Sequence, residues 1–187
     1  MSKKGPAWER EFAVDLSKWW TGGESDQEFW RTSGSGARAT TRGKKGLKTK
    51  AHNGDILSVD EVGKPFTDYF CIETKRGYQK DTIQDLLDCA SNAKTQVYQE
   101  WINKAKKCCD NSGSVSWMIV FRRNRREPIV MMEDLEWIPK TSKSMTFHCF
   151  ERCSPTIRLM SLREWFRLVK PEMIKFRLSI DRKSIGK

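Results

Sequence analysis

Residues 116–121, SWMIVF, set five apolar side chains in succession. A strand of that composition has no face to offer water, so it reads as a central strand with layers packed on both sides. A second run, YFCIETKRGY (69–78), begins the same way, with Tyr69, Phe70, Cys71 and Ile72, and then brings in Glu73 and Lys75. Residues two apart in a strand share a face, so these two charges look out together from a sheet whose neighbours want to be dry. A carboxylate in such a place is costly unless something pairs with it. A salt bridge between Glu73 and Lys75 is one account of the pattern. A catalytic metal site is the other.

The rest of the chain alternates helical and extended patterns. Gly5-Pro6 precedes an apolar stripe of Trp8, Phe12, Leu16, Trp19 and Trp20, which predicts a helix ending at Thr21-Gly22-Gly23. QEFWR (27–31) reads as a short strand, and residues 32–54 as a long loop of Gly, Ser, Thr and basic residues. From Arg31 to Lys50 there are seven Lys or Arg and no acid. DILSVD (55–60) and TDYFCIETK (67–75) read as a hairpin about the turn EVGKPF. A turn centred near Lys64 makes partner numbers sum to 128 and sets Asp55 opposite Glu73. Like charges so placed are destabilising, and a divalent cation held by oxygen turns the repulsion into coordination.

Residues 82–109 are expected to be helical with a break near Ser91-Asn92, and Val97, Trp101, Ala105 and Cys108 form the stripe of the second piece. The strand SWMIVF is followed by a basic turn, RRNRREP (122–128), by a strand IVMM (129–132), and by a turn or short helix in EDLEWI. MTFHCF and TIRLM read as a hairpin, and SLREWFRLV as a helix capped by Ser161. The tail FRLSIDRKSIGK is expected to fray. The tryptophans mostly fall on apolar positions of helices or strands and are assigned to the core by default.

Composition narrows the partners. The net charge is +11 and the isoelectric point near 9.5, which favours a polyanion, nucleic acid first. Aromatic content of 11%, with eight Trp, argues against a disordered chain. No apolar run reaches the ~18 residues of a membrane span. The six Cys lack the density of a disulfide scaffold, so a cytoplasmic protein with reduced thiols is expected. Cys108, Cys109, His148, Cys149 and Cys153 offer zinc-ligand types without a zinc spacing. At 187 residues the chain is expected to form one domain, a core over residues 1–140 with an elaboration over 141–187 packed on it.

Gly54-Asp55, then seventeen residues, then Glu73-Thr74-Lys75 resembles the PD-(D/E)xK nuclease signature. KGPAWERE (4–11) resembles the opening of archaeal-type Holliday junction resolvases, in which a Gly-x-x-x-Glu-Arg run carries a metal-binding Glu; that carries over to Glu9. WRTSGSG (30–36) resembles the Arg and Ser-Gly segment of the same resolvases, with Ser33 and Ser35 as the matching serines. Gln96 matches a helix position where the family often has Gln. The likeness covers roughly residues 4–135, and nothing after about 140 has a counterpart. Two departures stand out: Gly54 replaces the Pro of the motif, and the basic loop is longer than a minimal resolvase needs, which bears on substrate and not on fold.

The resemblance implies an α/β restriction-endonuclease-like core, a mixed sheet flanked by helices, with a C-terminal α+β elaboration. It implies Mg²⁺-dependent cleavage of DNA leaving 5′-phosphate ends, with Mn²⁺ able to substitute, and a homodimer with two sites. Asp55, Glu73, the Thr74 carbonyl and Glu9 would be the metal ligands, and Lys75 would orient the attacking water or steady the phosphate. Ser33, Ser35 and Gln96 would support catalysis. Arg31, Arg38, Arg42, Lys44, Lys45 and Lys48 are the expected DNA contacts, since an acid-free basic run suits phosphate. His52, three residues before Asp55, reads as a solvated loop histidine. A small chain with an unusual tail suggests a phage setting. Branched DNA is the first substrate to consider, with restriction-like, flap or nicking enzymes as alternatives. A non-catalytic DNA-binding protein on the same scaffold is a second class, and an RNA-binding protein that stacks bases on exposed aromatics a third.

Overall fold

A computed structural model describes residues 4–32, 54–77, 82, 97–147 and 156–185. The elements are helix α1 (Lys4–Trp20), strands β1 (Phe29–Arg31) and β2 (Ile56–Ser58), helix α2 (Lys64–Tyr69), strand β3 (Phe70–Arg76) and helix α3 (Val97–Ser112). Strands β4 (Ser116–Arg122), β5 (Ile129–Glu133), β6 (Ser144–Phe147) and β7 (Ile157–Ser161) follow, then helices α4 (Leu162–Leu168) and α5 (Pro171–Ile185). The five longer-range strands form one mixed sheet in the order β3-β4-β5-β7-β6, with β3 and β4 parallel and the other pairs antiparallel. Helices flank it on both faces, as a restriction-endonuclease-like α/β core requires.

The two faces carry separate cores. Odd-numbered residues of the central strands, Cys71, Trp117, Ile119, Phe121 and Met131, meet Tyr98, Trp101, Ile102 and Ala105 of α3. Even-numbered neighbours, Phe70, Ile72, Met118, Val120 and Met132, meet α1, α2, α4 and α5. The unbroken apolar run of β4 is thus explained, since both alternating sets are buried. Phe66 of α2 stands at the centre of the second core. It is fully buried, and its ring lies between 5.4 and 6.1 Å from those of Trp19, Trp20, Phe29, Phe70 and Trp165. Truncating a ring so enclosed costs about 3–5 kcal/mol.

Helix α1 follows its stripe, burying Trp8, Phe12, Leu16 and Trp20. It ends where Gly22 takes φ of 67°, a conformation that suits glycine at a helix terminus. Ser17 ties it to β1: its hydroxyl donates to the Ala13 carbonyl at 2.8 Å and accepts from the Phe29 amide at 3.0 Å. At the far end of the sheet, Glu11 takes Arg122 and Arg76 as partners while Arg122 covers the Trp8 ring at 5.4 Å. These contacts set the first turns of α1 beside the C-terminal ends of β3 and β4.

Three expectations need correction. The hairpin about Lys64 does not form: residues 64–69 are a helix, and β2 pairs with β1, Ile56 opposite Arg31, instead of with β3. Pro65 in the first helical turn and the apolar pair Phe66 and Tyr69 favour the helix over a turn. The tail does not fray after Phe176 but continues α5 to Ile185. Burial of Ile174 and Leu178 holds that helix down, as does the Tyr69 hydroxyl, 3.1 Å from Asp181. Trp30 is not core; it is 59% exposed, because Phe29 and Arg31 take the inward side of β1. The β6–β7 pair and the Ser161 cap are as expected, with Ser161 Oγ accepting from the Glu164 amide at 3.2 Å.

Candidate active site

Gly54 makes the site possible. Its φ of 92° is a conformation that L side chains rarely adopt, and a Cβ there would lie 2.7 Å from the Ile72 carbonyl oxygen. Only glycine lets the chain pass so close to the free edge of β3. The Asp55 amide then donates to Ile72 O at 2.7 Å, and the Asp55 carboxylate accepts from the Thr74 amide at 2.8 Å and the Thr74 hydroxyl at 3.3 Å. Thr32 steadies the same turn from β1, its hydroxyl donating to Gly54 O at 2.9 Å. Asp55 and Glu73 therefore do come together, through an edge contact of two residues and not through a hairpin register.

Lys75 completes the group. Its Nζ lies 2.6 Å from Glu73 Oε2, 3.9 Å from Asp55 Oδ2 and 3.2 Å from the Thr74 carbonyl oxygen. A second ammonium, Lys104 of α3, reaches Glu73 Oε2 at 2.7 Å. Glu73 is 3% exposed and Lys104 58%, so one partner is enclosed and the other comes in from solvent. The sequence pattern did not single out Lys104. Its signal was there, because Lys104 precedes Ala105 and lies four residues before Cys108, at the border of the stripe that packs on β3.

The electrostatics separate the two carboxylates. Burial pushes the Asp55 carboxyl above its usual range, and the Glu73 charge adds to the push, against the pull of Lys75. Burial also presses on Glu73, but the Lys75 and Lys104 ammoniums outweigh it and hold that carboxyl below its usual range. The Lys104 ammonium is raised in turn, since Glu73 overcomes the effect of its burial. Beneath them, Cys71 is pushed up by its hydrogen bond with Cys108 and by burial, and Cys109 to about 12 by burial. These thiols are packing groups rather than nucleophiles.

Glu9 is engaged by Arg31. Its Oε2 accepts from Arg31 Nε at 2.9 Å, and Arg31 is the strand partner of Ile56, next to Asp55. Among the described residues no three acids, histidines or cysteines cluster in one place. Ser33, Ser35, Arg38, Arg42, Lys44, Lys45, Lys48, His52 and Gln96 lie outside the described residues, as does the expected break near Ser91-Asn92.

An acid delivered to the edge of a strand that carries Glu-x-Lys, on a mixed sheet flanked by helices, is the arrangement of a PD-(D/E)xK nuclease. Residues 1–176 match the family described as "Phage putative PDDEXK endonuclease", and the chain belongs to that family. No curated protein and no solved structure matches it. Nucleases of this class generally depend on a divalent metal and act on DNA. No helix among the described residues is long and apolar enough to cross a membrane.

Proposed function

We propose that the protein is a Mg²⁺-dependent DNA endonuclease that hydrolyses phosphodiester bonds at Asp55, Glu73 and Lys75. The observation that supports it best is the position of Lys75 Nζ, a cation resting among Glu73, Asp55 and the Thr74 carbonyl at 2.6, 3.9 and 3.2 Å. Two carboxylates and a carbonyl are hard oxygen donors of the kind Mg²⁺ takes. Asp55, Glu73 and Thr74 O would hold it, and when bound it supplies Lewis-acid charge and a water of lowered pKa. Mn²⁺ would serve in its place.

The side chains do the rest. Lys75 sits on a flexible four-carbon stem, so its ammonium can swing from the carboxylates to the scissile phosphate without moving β3. There it orients the attacking water and offsets the charge that develops on phosphorus-bound oxygen. Lys104 fixes the rotamer of Glu73 from the solvent side. Glu9 acts through Arg31, aiming its guanidinium at a phosphate beside Asp55. Water would add to phosphorus and give up a proton to solvent, the P–O3′ bond would break with O3′ taking up a proton, and the products would carry 5′-phosphate and 3′-hydroxyl ends.

We read the substrate as branched DNA, with the four-way junction first, and the working form as a homodimer that presents one site to each strand. The likeness of residues 4–11 and 30–36 to resolvase segments supports this. A non-catalytic DNA-binding role is disfavoured because two carboxylates at one point repel phosphate and help binding in no way. The test is cleavage of a labelled four-way junction and its matched linear duplex, each with Mg²⁺, with EDTA and with Glu73→Ala protein. Symmetric cuts confined to the junction and lost under EDTA and in the variant are the expected result. Equal cutting of both substrates removes the junction preference and keeps the nuclease. Binding without cleavage under Mg²⁺ and Mn²⁺ overturns the catalytic reading.

A further inference from the structure

A groove of about 880 Å³ opens on the α3 face of the sheet, beyond the helix, and the chemistry above makes no use of it. Its floor includes Phe121, Ile129 and Leu159, which follow one another across β4, β5 and β7 on the face that carries Glu73 and Lys75. Phe121 is the direct strand partner of Lys75. Adjacent strands lie about 4.8 Å apart, so the groove begins one strand from the catalytic lysine and runs away from it. Its rim is basic: Arg123, Arg125 and Arg126 come from the β4–β5 turn, and Lys143 from the residue before β6. The one acid among the described residues of the rim, Glu127, is engaged by Arg163 at 2.7 Å. Met145, 56% exposed, stands on the wall.

We propose that this groove receives an unpaired DNA strand continuous with the strand being cut, its phosphates on the arginine rim and a base against the apolar floor. The proposal rests on the nuclease reading above and sharpens its substrate: DNA with single-stranded nucleotides beside the incision, in preference to a fully paired arm. Duplex phosphates need only cations on an open surface. A recess that joins cations to accessible apolar side chains, Met145 and the half-buried Ile129, suits an unpaired nucleotide whose backbone follows the basic rim.

The test is fluorescence anisotropy in EDTA, where nothing is cut. The intact protein is titrated with a blunt duplex, the same duplex carrying a single-stranded DNA tail, and a version with an RNA tail. Met145→Glu adds a carboxylate to the wall at an exposed position that folding does not need, and Arg123→Ser/Arg125→Ser/Arg126→Ser removes the rim. The DNA-tailed duplex is expected to bind about tenfold more tightly than the blunt one, and both variants to abolish that advantage. Under Met145→Glu, affinity for the blunt duplex changes less than twofold. A 5-iodouracil in the tail is expected to crosslink within residues 121–129 or 143–145. Equal affinity for tailed and blunt duplexes, an advantage that survives both variants, or tighter binding of the RNA tail overturns the proposal. The nuclease reading fails separately, if Mg²⁺ yields no cut in any of these DNAs while the tail preference stands.

Discussion

The protein buries charge in two places, and it closes one of them and leaves the other open. On β7, Arg158 is fully buried, paired with Asp134 and donating to the Ile138 carbonyl at 2.6 Å. The Arg158 guanidinium is enclosed and held by the groups around it, and the exposed Lys140 reaches Asp134 only at 3.9 Å. At the edge of β3, two carboxylates share one corner, and of the two ammoniums that balance them Lys104 is mostly in solvent. The first arrangement pins the turn after β5 under the sheet. The second keeps charge that a cation and a phosphate can take over. Buried charge by itself does not mark a candidate site; two carboxylates at one corner, balanced by two lysines of which one is largely in solvent, do.

The largest break in this comparison should come from Lys75→Ala. Loss of a group that acts on the reacting phosphate is expected to lower cleavage per folded molecule by about 10²–10³-fold, and removal of a 2.6 Å partner from the buried Glu73 lowers stability as well. Single-turnover cleavage and thermal unfolding on the same preparation decide it. A loss of stability with cleavage per folded molecule unchanged would move Lys75 to the structural side.

Asp134→Ala should lower stability alone. It leaves the Arg158 guanidinium buried without its partner, for a loss of about 3–5 kcal/mol, while cleavage per folded molecule stays within twofold. Denaturant unfolding measures the first quantity and active-site titration the second. Gly54→Ala is predicted to fall between them. The strained φ and the approach to Ile72 O cost about 1–3 kcal/mol, and cleavage falls as well because Asp55 moves off the edge of β3.

The smallest effect is the most diagnostic. Asp55 is raised above its ordinary 3.8, so the stability it contributes is complete below that pH and fades as pH climbs through its raised folded value. Glu73 is lowered below its ordinary 4.5, so its contribution is complete above that pH and fades as pH falls through its lowered value. Taken together, these two groups favour the metal-free fold most between their two ordinary values, and above them Asp55 works against it. Asp55→Asn should remove the decline on the alkaline side and raise the melting temperature at neutral pH by a few degrees. Mg²⁺ should stabilise the parent and not the variant. A parent whose stability climbs steadily from pH 5 to pH 8 without metal would contradict the raised Asp55 carboxyl.

Much of the fold was legible because its strands announce themselves. SWMIVF and IVMM have no polar side, and burial on both faces is the only use a soluble chain has for them. Ser161 before Leu162 and Glu164 spelled out its helix start. The segment 64–69 was misread because Gly63 and Pro65 serve a turn as well as a helix start, and only Phe66, packed among five rings, decides between them. Trp30 was misplaced for a related reason: a three-residue strand is too short for its alternation to show. Lys104 was overlooked because a lysine at the edge of an apolar stripe looks the same whether it faces water or a carboxylate thirty-one residues away.

The sequence by itself supplied the candidate groups. Glu73 and Lys75 follow from residue type and strand parity, which backbone geometry alone sets, and Asp55 from the resemblance of its spacing to the PD-(D/E)xK signature. Tertiary structure decided how they meet. The Asp55–Thr74 contact, the arrival of Lys104 and the engagement of Glu9 by Arg31 depend on which elements become neighbours. That is settled by the sum of many apolar contacts across both faces of the sheet, and no local stretch of the chain contains it.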